Sequence, residues 1–130
     1  MAKIEIKHPE KGDRPGGAYS AGVELDGWVF VSGHGPVDMA TGKYISGTIE
    51  KETERTLTNV LLVLQQAGCS LDDVVKSTAH LSDMNDFAAY NRAYREFFKD
   101  VAVLPARTTV QSGLWGGMKV EIDVIARKPR

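Results

Sequence analysis

The sequence predicts an α+β fold with a single domain, a two-layer sandwich in which two helices cover one face of a sheet. The chain has 130 residues, 42% hydrophobic and 25% charged, which is the composition of a globular domain with one core. Strand-like and helix-like segments follow in the order βββαβα, and two further strands close the chain. No segment is low in complexity and no long period repeats, so residues 1–130 are predicted to be one domain.

The first three predicted strands lie near the N-terminus. Residues 4–6 alternate apolar and charged side chains, which indicates a short strand and not the apolar core of a signal peptide. Residues 19–25 and 28–32 are predicted to pair as a hairpin, because Asp26-Gly27 between them favours positive φ angles.

Two helices follow, with a strand between them. Thr48 is predicted to cap the first helix, and apolar residues recur at helical spacing until Gly68 ends it. The run 74–81 is rich in β-branched residues and predicts a strand. A second helix begins around residues 83–86, and its apolar stripe contains Phe87, Tyr90, Tyr94, Phe97 and Phe98.

The closing strands, 107–111 and 118–126, are joined by a short connection that contains Gly-Leu-Trp-Gly-Gly, which suits a hairpin. If the two strands pair, Arg107, Thr109 and Glu121 share the face that lacks helices. Two interpretations stay open. The arginine and the carboxylate form an exposed ion pair of little energetic value, or they form an anion-binding arginine beside an acid that handles a proton or water.

Two helices can cover only one face of the sheet, so the other face must meet water or a second subunit. Trp28 and Phe30 on one side of their strand, with Val29 and Val31 on the other, indicate that both faces are covered there. The sequence therefore predicts a homo-oligomer.

Charge and cysteine content exclude several classes of function. The formal net charge of -1 gives no field that would attract nucleic acid or an anionic membrane. The single cysteine, Cys69, excludes an intrachain disulfide and favours a cytoplasmic location. His8, His34 and His80 lack metal-binding spacing, and no nucleotide-binding motif occurs, so neither a metal nor a cofactor is expected.

Asn91 stands out because it lies on the apolar stripe of the second helix. A buried amide needs partners, so it either ties a neighbouring loop or belongs to a site. Asn59, among apolar residues of the first helix, has the same structural interpretation.

The run Ser32-Gly33-His34-Gly35 does not match the nucleophile elbow of serine hydrolases. Its glycines are better explained as a sharp strand end where backbone groups can face a ligand. Tyr19 is expected to be a packed aromatic residue whose hydroxyl reaches water.

Residues 104–110 (LPARTTV) and 118–126 (MKVEIDVIA) resemble the C-terminal signature of the RidA (YjgF/L-PSP) family. Segments 29–33, 72–76 and 85–98 resemble the family at the expected places, so the resemblance covers residues 16–126. It implies a chorismate-mutase-like fold with a mixed sheet, and a homotrimer with three clefts between subunits.

The resemblance also implies cofactor-independent hydrolysis of reactive enamines and imines, such as 2-aminoacrylate and 2-iminobutanoate, to 2-keto acids and ammonia. Arg107 would bind the substrate carboxylate, and Glu121 would orient water or transfer a proton. The other residues that would line the cleft are Tyr19, Ser32, Gly33, Asn91 and Thr109.

The chain departs from the family pattern at His34, where many members have Gln, and at Thr109, where well-known members have Cys. His34 could add an acid or base to the cleft, or could merely pack. Two alternatives to the general deaminase stay open. One is a pathway-specific deaminase of the same fold, of the 2-aminomuconate or aminoacrylate-peracid type, and the other is a ribonuclease or regulatory ligand-binding protein.

Overall fold

A computed structural model describes residues 2–129 of the chain. Its elements are β1 (Ile4–Ile6), β2 (Gly22–Leu25), β3 (Trp28–His34), β4 (Val37–Asp38), β5 (Lys43–Tyr44), α1 (Ile49–Gln66), β6 (Val74–Leu81), α2 (Phe87–Phe97), β7 (Ala106–Gln111) and β8 (Val120–Arg127). Six strands form one mixed sheet in the order β1-β2-β3-β8-β6-β7, in which only β6 and β7 are parallel. Both helices pack on one face, which confirms the predicted α+β architecture.

The predicted helix and turn signals are confirmed at particular residues. The Thr48 hydroxyl accepts a hydrogen bond from the Lys51 amide at 3.2 Å, which caps α1. Beyond the other end of α1, Gly68 has a φ of 79°, a value that strongly favours glycine. Asp26 and Gly27 both have positive φ, at 52° and 84°, as the tight turn between β2 and β3 requires.

Two local predictions need correction. Strand β2 begins at Gly22, so Tyr19 lies in the bend before the strand, and it is 64% exposed rather than packed. The loop after β3 contains a small hairpin, β4 and β5, which the sequence did not predict because each strand is only two residues long.

The prediction that the two closing strands form a hairpin is wrong. Strand β6 lies between β7 and β8, pairing in parallel with β7 and antiparallel with β8. Both ends of the connection between β7 and β8 bond to residues at the end of β6: Ser112 N–H donates to Leu81, and Ser82 N–H donates to the Lys119 carbonyl. The connection therefore steps over one strand.

This topology also corrects the predicted side-chain arrangement. On β6, Ser77 is opposite both Arg107 and Val124, and it is fully buried under the helices. Because cross-strand neighbours share a face, Arg107 and Thr109 lie on the helix side. Glu121 directly precedes Ile122, a core residue. Because successive side chains of a strand point to opposite faces, Glu121 points to the helix-free face.

The core fills the space between the sheet and the helices. Val29 and Val31 are buried in it, whereas Trp28 and Phe30 are each 41% exposed on the helix-free face. That face also carries Leu25, Val75 and Val110, all partly exposed. Neither helix within residues 2–129 combines the length and apolar character that crossing a membrane requires.

Candidate functional site

Arg107 lies in a box of three aromatic rings on the helix side of the edge strand β7. Its guanidinium carbon is 4.7 Å from the ring centroid of Tyr94, 5.4 Å from that of Tyr90 and 5.8 Å from that of Phe87. These distances are within the range of cation–π attraction. Among residues 2–129, no carboxylate forms an ion pair with Arg107. The rings thus hold a cationic fork that has no anionic partner in the described chain.

The aromatic box is fixed by α2 and by a hydrogen bond to β7. Tyr90 and Tyr94, one turn apart, are both buried, and the Tyr90 hydroxyl is 3.2 Å from the Thr109 hydroxyl. Burial raises the pKa of both phenols, so they stay neutral at physiological pH. Thr109 therefore lies beside Arg107, as expected for two residues of equal parity on one strand.

Asn91 follows Phe87 by one helical turn and is half-buried. Within the described part of the chain its amide makes no side-chain hydrogen bond, so the expectation that it ties a loop is not met.

Glu121 lies in a different place, a cleft of about 550 Å³ that is called the Glu121 cleft. The cleft is bounded by the loop before β2, the end of β3 and the start of β8. A methyl group on Gly33 would overlap Glu121 Oε1, so the missing side chain makes room for the carboxylate. The lining residues include four further candidates from the sequence: Tyr19, Ser32, Gly33 and His34.

Ser32 and His34 are oriented by backbone carbonyls. The Ser32 hydroxyl donates to the Ser20 carbonyl at 2.6 Å, which occupies its proton. The His34 Nδ1–H donates to the Ser32 carbonyl at 2.7 Å, and burial lowers the pKa of the imidazole. In the resulting neutral ring, Nε2 is an acceptor.

The floor of the cleft is braced by a buried amide. Asn59 donates from Nδ2 to the carbonyls of Gly35 and Val37, at 3.0 and 2.9 Å. Its Oδ1 is 3.0 Å from His8 Nε2, which carries the proton because His8 Nδ1 accepts from the Glu10 amide. The structural role predicted for Asn59 is confirmed.

Sequence reasoning missed Glu52, a carboxylate of α1 that is only 1% exposed. It accepts hydrogen bonds from the Tyr44 hydroxyl at 2.6 Å, from the Gly47 amide at 3.1 Å and from the Lys119 amide at 2.9 Å. The Lys119 ammonium pairs with it at 3.2 Å. Burial acts to raise its pKa, but these donors hold the pKa below its ordinary value. The sequence signal that could have revealed Glu52 is its position about one helical turn after Ile49, on the apolar face of α1.

The structure thus divides the predicted site residues into two groups. Arg107 and Thr109 lie beside aromatic residues of α2, the helix that carries Asn91, while Tyr19, Ser32, Gly33, His34 and Glu121 line the cleft. Among residues 2–129, no group of three or more His, Cys, Asp or Glu side chains could hold a metal ion. The group at β7 supplies a fixed cation, Arg107. The group in the cleft supplies a carboxylate, Glu121, beside the backbone of Gly33.

A mixed sheet covered on one face by two helices, with an arginine box and a separate carboxylate cleft, defines the class, a small two-layer α+β protein. Comparison with known proteins identifies the class. Residues 11–128 match the family model described as Endoribonuclease L-PSP. The chain belongs to this family, the RidA (YjgF/L-PSP) family.

Two relatives and one solved structure illustrate the similarity. A RutC family protein of Pyrococcus abyssi is 40% identical over 129 residues, covering 98% of this chain and 99% of that protein. A 2-iminobutanoate/2-iminopropanoate deaminase of Capra hircus is 39% identical over 111 residues, covering 85% and 80%. The crystal structure of E. coli TdcF with bound serine is 34% identical, covers 97% and 100% of the two chains, and has a TM-score of 0.86.

Proposed function

We propose that the protein hydrolyses reactive 2-imino acids, and the enamines that tautomerise to them, to 2-keto acids and ammonia. The observation that carries this proposal is the Arg107 guanidinium, which three aromatic rings hold and which has no acidic partner within residues 2–129. Such a fork suits a substrate carboxylate, since guanidinium and carboxylate form two parallel hydrogen bonds. The name of the goat relative supports the same reaction class.

We further propose that a second copy of the chain completes the site. Within one chain, Arg107 and Glu121 lie on opposite faces of the sheet, so one molecule cannot place both against a small substrate. The partly exposed apolar side chains of the helix-free face provide a surface that another copy would cover. A cyclic homotrimer, with one cleft at each subunit boundary, satisfies both requirements.

In the proposed reaction Arg107 fixes the carboxylate, and Glu121 orients a water molecule beside the C=N carbon. The water oxygen forms a bond to that carbon, one of its protons passes to Glu121, and the nitrogen takes up a proton. The tetrahedral carbinolamine then releases ammonia, and its hydroxyl proton is lost as the C=O bond forms. One imine and one water therefore give one 2-keto acid and one ammonia, mainly through positioning.

The test generates the imine with a threonine or serine dehydratase and traps it with semicarbazide. Wild type should lower the trapped fraction, and Arg107→Met should lose this effect because it keeps the packed stem and removes the fork. Arg95→Met, on an exposed position of α2, is the matched control and should behave as wild type. Unchanged trapping with wild type, or full activity of Arg107→Met, would contradict the proposal.

A pathway-specific deaminase of the 2-aminomuconate or aminoacrylate-peracid type remains the second candidate. The size of the Glu121 cleft favours it, because about 550 Å³ exceeds what a four-carbon imino acid fills. A side-by-side panel of imines distinguishes the two. A flat profile supports the general deaminase, and a preference of several orders of magnitude for one substrate supports specialisation.

A further inference from the structure

Two cations in the Glu121 cleft are not used by the proposed reaction. Lys11 and Arg14 both come from the loop between β1 and β2 and line the cleft. Glu121 is the only carboxylate among the described lining residues, and it pairs with neither cation. Because His34 has a lowered pKa and is neutral, the described lining carries an excess of positive charge.

Arg14 is held in place by the turn between β4 and β5. Its Nη2 donates to the Met39 carbonyl at 2.9 Å, and a methyl group on Gly42 would overlap Nη1. The buried Nε has no hydrogen-bond partner in the described chain. A buried donor without a partner is costly, and a ligand that accepts from it would remove that cost. Arg14 is therefore a second fixed fork, separate from Arg107.

We propose that Lys11 and Arg14 form a second anion subsite, which selects imino acids whose side chain ends in a carboxylate. This inference rests on the proposed function, in which Arg107 of another copy binds the first carboxylate and Glu121 faces the reacting carbon. The side chain of the substrate then extends into the remainder of the cleft, where the two cations lie. The second carboxylate of a dicarboxylic substrate could accept from Arg14, whereas a simple alkyl side chain leaves the Arg14 Nε without an acceptor.

The test compares two product analogues of equal chain length, 2-oxoglutarate and 2-oxopentanoate, which differ at the terminal carboxylate. Isothermal titration of wild type should show 2-oxoglutarate binding about tenfold tighter, as expected for a charge-assisted pair at a partly exposed site. Arg14→Met should abolish this difference while leaving 2-oxopentanoate unchanged. Lys11→Met should reduce the difference, and Arg95→Met should preserve it.

Equal affinity of wild type for the two acids, including no detectable binding of either, would overturn the second subsite. Equal weakening of both acids by Arg14→Met would also overturn it, because that result indicates a structural role for the side chain. Arg107→Met separates the two proposals. If it weakens both acids while wild type shows no preference, the subsite fails and the proposed function stands. If it changes neither acid while Arg14→Met affects 2-oxoglutarate, the proposed function fails and the anion subsite stands.

Discussion

Arg107 and Glu121 project from opposite faces of the sheet, and strand β6 separates the strands that carry them. Arg107 points to the helices and is held by three aromatic rings, while Glu121 faces a cleft at the end of β3. Neither residue has an ion-pair partner within residues 2–129. This separation is the reason for proposing a site that two copies of the chain build together.

Gly33→Ala tests whether the open backbone beside Glu121 is needed for activity. The added methyl group would overlap Glu121 Oε1, so the carboxylate must rotate away from its position in the cleft. We expect imine hydrolysis to fall about tenfold or more, since misplaced catalytic groups are costly. The free energy of unfolding should change little, because the displaced atom, Glu121 Oε1, lies at the far end of a flexible side chain. Gly113→Ala, where the methyl group meets nothing within 4 Å, is the control, and equal activity of the two variants would contradict this role.

Glu52→Gln tests the buried carboxylate that anchors the start of β8. The substitution removes the charge that faces the Lys119 ammonium and presents an amide N–H to groups that are themselves donors. We expect a loss of about 3 kcal/mol in the free energy of unfolding at pH 7, measured with urea. Lys119→Met, which removes only the partly exposed ammonium, should cost much less.

The pKa of Glu52 gives this prediction a pH dependence. Its folded pKa is lower than the ordinary value of 4.5, so its stabilising effect is complete above pH 4.5 and is lost as the pH falls through the folded pKa. The stability difference between wild type and Glu52→Gln should therefore shrink in acid. If the stability difference between the two proteins stays constant from pH 7 to pH 3, that result would count against a lowered pKa of Glu52 in the folded protein.

His34→Gln should reduce the sensitivity of the fold to mild acid. Burial lowers the pKa of His34 below 6.5, despite the hydrogen bond to the Ser32 carbonyl, and nearby His8 lowers it further. The stability associated with the neutral ring is complete above pH 6.5 and falls below it, by up to about 1.4 kcal/mol per pH unit. Urea unfolding between pH 7 and 5 should show a flatter profile for His34→Gln. Parallel profiles for wild type and His34→Gln would refute the assignment.

Phe30→Glu tests the proposed covering of the helix-free face. Phe30 is 41% exposed there, and a carboxylate buried between subunits would be strongly unfavourable. Sedimentation should show a trimer for wild type and dissociation of the variant. Thr58→Glu adds the same charge on an exposed position of α1 and should leave the trimer intact. A wild-type monomer, or an intact Phe30→Glu trimer, would contradict the proposed interface.

The sequence was most informative where structure depends on local chemistry. The Thr48 cap, the Asp26-Gly27 turn and the left-handed Gly68 each follow from the conformational preference of one or two residues. Apolar and mostly charged residues alternate along β8, and this pattern matches its alternation of buried and half-buried positions.

Strand order could not be derived in the same way. Alternation tells which side chains of one strand share a face, but it does not tell which strand lies next to it. A hairpin between β7 and β8 was the shortest connection, yet β6 already occupies the position beside both. The burial of Glu52 was equally non-local, because its donors come from Tyr44, Gly47 and Lys119.

Subunit complementation tests the central claim most directly. Arg107→Met and Glu121→Gln should each be inactive alone, but their coexpression should give mixed trimers with restored activity. If each site takes Arg107 from one copy and Glu121 from another, random assembly makes about a quarter of the sites intact. We therefore predict about a quarter of wild-type imine hydrolysis from the mixture. Activity that stays at the level of the separate variants would contradict a site shared between copies.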